Sequence, residues 1–132
     1  MYLLDTNMAS AVITQKEAVL KKMAPLSMNL FHLSALSAAE IQYGLARRPE
    51  AQRLRSRVQA FLQQVDIVSF TAADALVYAQ LKVQGQSQGR NLAEMDMLIA
   101  AHAHSRGLIL LTADSAFKHM PGLQVENWLE GD

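Results

Sequence analysis

The 132-residue sequence contains no cysteine. Disulfides, thiol nucleophiles and zinc–thiolate sites are thereby excluded. It has no run of about 18 apolar residues, so no membrane-spanning helix is expected. Neither sign of charge is in excess, with Lys+Arg and Asp+Glu at 12 each. The basic surplus of a non-specific nucleic-acid binder is therefore missing, although a local patch can act within a neutral total. The start has no basic segment, and Asp5 interrupts its apolar run, which is not a signal-peptide pattern. A soluble cytoplasmic protein is expected.

What is present is a large apolar content. The chain is 51% hydrophobic and 18% charged, enough for a real core and unlike a disordered segment. No composition shift or internal repeat divides it, and its length suits one domain over residues 1–132.

Strand-like and helix-like segments alternate. Tyr2, Leu3 and Leu4 form an apolar run without alternation, the mark of a strand buried on both faces. A short helix follows Asn7 to about Ile13. Thr14-x-x-Glu17 has the form of a capping box opening a helix to about Met23, and Pro25 ends it. Leu30 to Ser34 reads as a second strand. Ser37-x-x-Glu40 is another capping-box pattern, with its helix running to about Arg48. Pro49 is placed to start the next helix, whose apolar face is Ala51, Leu54, Val58, Phe61 and Leu62. Asp66 to Phe70 reads as a third strand. Thr71-x-x-Asp74 caps a helix to about Val83, and Gly85 to Gly89 reads as a flexible loop. A helix from about Ala93 to Ser105 is closed by Gly107. Leu108 to Leu111 is the fourth strand, and Leu123 to Glu126 a short fifth. The alternation implies an α/β fold, with a mostly parallel sheet of four or five strands between helical layers.

Four carboxylates stand out against this frame. Asp5 ends the first strand, where open α/β sheets place their ligand sites, although a turn or cap role fits it as well. Asp96 sits in Met95-Asp96-Met97-Leu98-Ile99-Ala100-Ala101, a helix apolar nearly all round. A buried carboxylate there is costly unless paired, hydrogen-bonded or bound to a metal. A place in the helix's first turn would account for it in part. Asp114, after Leu111-Thr112-Ala113, copies the pattern of Asp5. Thr112 is suited to hold a carboxylate in place. Glu40 has a strong structural alternative, because a capping box needs Glu at that place. Carboxylates crowded together disfavour their own ionisation without a cation. A hard divalent ion on oxygen ligands suits such a cluster, and phosphodiester cleavage suits such an ion. His102 and His104 lie two apart on a helix and read as surface residues. Ser34 and Ser37 lack the signature of a hydrolase triad. Arg47, Arg48, Arg53 and Arg57 form a basic cluster, either a solvated helix surface or a contact for an RNA backbone.

With these residues in order, the chain resembles the PIN-domain ribonucleases of the VapC toxin type over nearly its whole length. The resemblance rests on Leu3-Leu4-Asp5-Thr6-Asn7, on Ser37-Ala-Ala-Glu40 with Tyr43-Gly44, and on Gly89 leading to Asp96-Met-Leu-Ile-Ala-Ala101-His102-Ala103. It ends with Leu110-Leu111-Thr112-Ala113-Asp114, Phe117, Pro121-Gly122-Leu123 and Glu126-Asn127-Trp128. It implies a PIN-like three-layer α/β/α sandwich and Mg²⁺- or Mn²⁺-dependent endonucleolytic cleavage of RNA. It also implies Asp5, Glu40, Asp96 and Asp114 as catalytic and metal-ligating acids, with Asn7 and Thr112 supporting them. A VapB-type antitoxin and a homodimer are the partners it implies. One departure stands out. Many relatives carry a second acid directly before the C-terminal phenylalanine, where this chain has Ala116, so the fourth acid rests on Asp114 alone.

Two other classes fit less of the sequence. A non-cleaving PIN-like domain that binds RNA or a partner would agree with the neutral charge and Ala116. A phosphatase using Asp5 as nucleophile would want a second Asp where Asn7 stands.

Overall fold

The computed structural model describes residues 1–129. Among them, five strands form one sheet in the order β3-β2-β1-β4-β5. They are β1 (Tyr2–Leu4), β2 (Phe31–Ser34), β3 (Asp66–Val68), β4 (Ile109–Leu111) and β5 (Val125–Glu126). Every pairing is parallel. The helices are α1 (Thr6–Ile13), α2 (Glu17–Met23), α3 (Ala35–Ala46), α4 (Gln52–Gln64), α5 (Ala72–Ser87) and α6 (Glu94–Arg106).

The strands lack alternation because both faces of the sheet are covered. In register, Leu4 lies beside Leu33 and Leu111, while Leu3 lies beside His32 and Leu110. Successive side chains point to opposite faces. Leu4, Leu33 and Leu111 therefore join the core under α1 to α4, with Phe31, Phe61 and Trp128. Leu3 and Leu110 join the core under α5 and α6, with Met97, Ile99 and Phe117. Each fully buried leucine contributes about 2 kcal/mol relative to exposure. The result is the expected three-layer α/β/α sandwich.

The connectivity fixes where a site can form. The chain steps outward from β1 to β2 to β3, then crosses to β4 on the other side of β1. The strand order reverses between β1 and β4, and open α/β sheets bind their ligands at the carboxyl ends of the strands at such a point.

Local expectations hold unevenly. The Thr71–Asp74 capping box forms, with both reciprocal bonds present. The one expected at Thr14 does not: Thr14 ends α1, its hydroxyl donates to the Ser10 carbonyl, and α2 begins after Lys16. The one expected at Ser37 does not form either. The last residue of β2, Ser34, caps α3 by accepting the Leu36 N–H at 3.1 Å. Pro49 precedes α4, which begins at Gln52. The third strand stops at Val68, not Phe70. Residues 85–87 continue α5 instead of forming a loop. The helix runs on there because Gly85 is buried against the next segment: a Cβ on it would stand 2.9 Å from the Arg90 carbonyl oxygen. Gly107 closes α6 in the left-handed conformation, at φ 65°.

Candidate active site

Asp5 follows β1 directly. Its N–H donates to the Leu111 carbonyl at 3.0 Å, joining the ends of β1 and β4. Its Oδ1 accepts the Met8 N–H at 2.7 Å, so Asp5 caps α1. The cap and the site are one residue, 6% exposed. Burial is the main force raising its pKa. Hydrogen bonds from Thr112 and Met8 oppose the rise, and the charges of Asp96 and Asp114 add to it.

Asp96 is the third residue of α6, within its first turn. The helix N-terminus favours a carboxylate there. Its pKa is nonetheless raised, first by burial and then by Asp114 and Glu40. The dipole does not outweigh the neighbours.

Glu40 lies further into α3 than a capping position, so the two roles expected to compete for its oxygens do not. Its Oε1 accepts from Thr6 Oγ1 at 2.5 Å. Thr6 Oγ1 also lies 3.0 Å from Ser37 Oγ, and Ser37 is fully buried. A hydroxyl carries one proton, so with Thr6 donating to Glu40 the Ser37 hydroxyl supplies the second bond. Thr6 was not among the expected site residues. Its place beside Asp5 was the available signal.

Asp114 is exposed beyond β4 and caps a short 3-10 turn by accepting the Ala116 N–H at 2.9 Å. Its own N–H donates to Thr112 Oγ1 at 3.0 Å. Thr112, 1% exposed, thus touches both strand-end aspartates. Asn7 is exposed in the first turn of α1.

The four acids come from four distant parts of the chain and are coupled through their charges at one edge of the sheet. Carboxylate oxygens fit a hard divalent cation, which would relieve their repulsion. Among the described residues, no three acidic or imidazole side chains stand close enough to enclose an ion by themselves. Water would therefore make up the rest of its coordination shell.

A groove of about 260 Å³ leads away from Glu40, lined by Thr6, Ser10, Gly44, Arg47 and Arg48 among others. Arg48 also lines a second concavity of about 600 Å³ with Arg53 and Arg57. Arg48 and Leu54 line both, so the four arginines of the basic cluster border two adjoining concavities, the first of which Glu40 lines together with the apolar Ile13, Ile41, Leu45 and Val58.

His102 corrects the expectation of a surface residue: it is fully buried. Its Nε2 is 3.1 Å from the Ser69 carbonyl, so it must donate there. Its Nδ1 then accepts from Ser34 Oγ at 2.8 Å. Burial lowers its pKa, which keeps this neutral form in place. His102 thus ties α6, which carries Asp96, to the cap of α3, which carries Glu40. His104 is exposed, as expected.

The sequence and the fold are both similar to those of known proteins. The sequence matches the PIN domain over residues 2–123. It is 30% identical over 128 residues to the tRNA(fMet)-specific endonuclease VapC of Shigella flexneri, covering 96% of this chain and 97% of that protein. The fold is similar to a chain of VapBC2 from Rickettsia felis, solved bound to a DNA fragment from their promoter. That match has a TM-score of 0.84 at 29% identity and covers 96% of this chain and 98% of the other. A chain of DNA-bound VapBC from Salmonella typhimurium shares the fold at a TM-score of 0.88 and 24% identity, over 96% and 97% of the two chains. A match of this extent, on a sheet whose carboxyl edge gathers four acids, shows that the chain belongs to the PIN-domain family, in its VapC branch.

Proposed function

We propose that residues 1–132 form one PIN-like nuclease domain, a metal-dependent endoribonuclease acting as the toxin of a toxin–antitoxin pair. The observation that carries the reading is that Asp5 lies within reach of the charges of Asp96 and Asp114, and Asp96 of those of Asp114 and Glu40, at the switch point of the sheet. The ribonuclease and VapBC names of its relatives support the class of reaction and of partner.

Asp5 and Asp96 would hold a Mg²⁺ or Mn²⁺ ion, with Glu40 and Asp114 beside it and Asn7 at its rim. Such an ion supplies acidified water and neutralises phosphate oxygens. The chain supplies the rest. Thr112 fixes the two strand-end aspartates. Thr6 holds one oxygen of Glu40 and leaves the other to take the proton of the attacking water. The water oxygen bonds to phosphorus, the bond to the leaving ribose oxygen breaks, and that oxygen takes a proton from solvent. Arg47, Arg48, Arg53 and Arg57 contact the phosphates of the flanking strand. The partners are a VapB-type antitoxin and a second copy of the chain. No helix among the described residues is long and apolar enough to cross a membrane, in keeping with action in the cytoplasm.

The test is cleavage of RNA with Mg²⁺, with and without chelator, by the wild type and by Asp96→Asn. Loss of at least about 100-fold in rate is expected from Asp96→Asn and from chelation. Equal rates would refute the assignment. The second reading, a domain that binds RNA without cutting it, draws on the spread of the acids and on Ala116. RNA binding with no cation-stimulated cleavage would favour it.

A further inference from the structure

Three of the four acids at the sheet edge are held by hydrogen bonds of their own. Asp5 has the Met8 N–H and Thr112, Glu40 has Thr6, and Asp114 has the Ala116 N–H. Among the described residues, none donates a hydrogen bond to the Asp96 carboxylate. The place of Asp96 is therefore set by where α6 lies as a body. Apolar packing gives α6 its depth, but burial is non-directional. Hydrogen bonds have preferred lengths and angles, and they set slide and rotation.

Two such grips act on the second half of α6. Arg106 donates to Asp74 of α5 and, at 2.8 Å, to the Ser69 carbonyl just after β3. That grip holds α6 to its own layer and to the edge of the sheet. The other is His102. Its Nδ1 takes the Ser34 hydroxyl proton at 2.8 Å, and Ser34 is the cap of α3. α3 packs in the core on the opposite face of the sheet from α6. The two helices share no apolar core that could align them, so this bond joins layers that burial leaves independent.

The spacing is even on both sides. Asp96 precedes His102 by six residues and Glu40 follows Ser34 by six, about 9 Å along each helix axis. Ser34 and His102 are both fully buried, and the Phe70 ring stands edge to face with the imidazole at 5.2 Å. The Ser34 hydroxyl is used twice. It accepts the Leu36 N–H at 3.1 Å and gives its one proton to His102. An imidazole that keeps its own hydrogen on Nε2, for the Ser69 carbonyl, permits this arrangement.

We propose that His102 is a positioning residue: its bond to Ser34 sets the helix that carries Asp96 against the helix that carries Glu40. Fully buried, it reaches neither substrate nor ion. A misplacement of about 1 Å in a reacting group is enough to cost about 100-fold in rate. This rests on the endoribonuclease reading and adds to it the residue that aligns its acids.

The test measures RNA cleavage with Mg²⁺, and binding of Mn²⁺ without RNA by electron paramagnetic resonance. The proteins are the wild type, His102→Leu, His102→Gln, His102→Asn and Ser34→Ala, each assayed well below its own melting temperature. His102→Leu fills the space and makes neither bond. His102→Gln keeps a donor in place of Nε2 and loses the bond to Ser34. His102→Asn keeps an acceptor in place of Nδ1 and retains that bond. His102→Leu and His102→Gln should lower kcat about 10- to 100-fold with KM unchanged, and weaken Mn²⁺ binding about 10-fold. His102→Asn should stay within about threefold of the wild type in both. Ser34→Ala should lower kcat as His102→Leu does, and adding His102→Leu to it should cost no more. Wild-type kcat or unchanged Mn²⁺ binding in His102→Leu overturns the proposal. So does an equal fall in His102→Asn and His102→Leu, which would assign the effect to the packing of the ring. Should His102→Leu not fold, equal rates in His102→Gln and His102→Asn overturn it. A wild type that neither cleaves nor binds Mn²⁺ refutes the nuclease reading and takes this proposal with it, whereas an active wild type with an equally active His102→Leu sinks this proposal alone.

Discussion

At the scale of the residue, the site is a set of side chains each held by a second one. Thr6 to Glu40 is the clearest case, a 2.5 Å bond spanning 34 residues of sequence. Thr6→Val should lower kcat about 10- to 100-fold with little change in KM if, as proposed, the bond orients the carboxylate that takes the proton. Thr6→Ser, which restores the hydroxyl, should recover most of the rate. A lower melting temperature for Thr6→Val would point to general misfolding instead. Asp5 gives a prediction of opposite sign for stability. Its raised pKa means that the charged form burdens the fold above that pKa and ceases to do so as pH falls through it. Asp5→Asn keeps an oxygen for the Met8 cap and removes the charge. It should therefore melt a few degrees higher than the wild type at pH 7, with no divalent ion present, and lose its activity. The difference should shrink as pH is lowered, and shrink again when Mg²⁺ stabilises the wild type by binding. Melting curves at three pH values decide it.

Elements decide what could be read in advance and what could not. The acids at strand ends were legible because an apolar run followed by a polar turn is a local pattern. The helix starts were less so. Three capping-box patterns, at Thr14, Ser37 and Thr71, look alike, yet one forms. At Ser37 the sheet intervenes: β2 ends on Ser34, and the chain turns into α3 at once with that serine as cap. Glu40 is thereby freed for Thr6. His102 does not face His104, but that spacing says nothing of its burial; the same physics that governs Asp96 decides it. A polar residue within a helix apolar nearly all round has to be buried and partnered. The same applies to Asp74, 1% exposed, whose carboxylate takes the cap bond of Thr71 within α5 and bonds from Ser105 and Arg106 that cross from α6. Arg106, before the other donors, holds its pKa far below the ordinary 3.8. That depression means stability present above the ordinary value and lost as pH falls through the carboxylate range. Asp74→Asn should cost about 2 kcal/mol at pH 7, with the gap to the wild type closing below about pH 4. Urea titrations at pH 7 and near pH 2 check this. A constant gap would count against the carboxylate's charge as its source.

For the molecule as a whole, the sequence could not show how the acids meet. Order along the chain does not reveal that β4 crosses to the far side of β1, and it is this crossing that sets Asp5 beside Asp114. Nor does the neutral total reveal that Arg48, Arg53 and Arg57 border one concavity. Reversing Arg53 and Arg57 to Glu should weaken RNA binding and flatten its dependence on salt by about two charges' worth of slope. An unchanged slope in binding measured from low to high salt would place the RNA elsewhere. The crossing has one more outcome. Asp5 is synthesised well before Asp96 and Asp114, and β4 must slot in beside β1 before they come together. A nascent chain arrested before Ile109 should leave the cell's RNA intact, so the cell that makes this protein is shielded from it until β4 has been made.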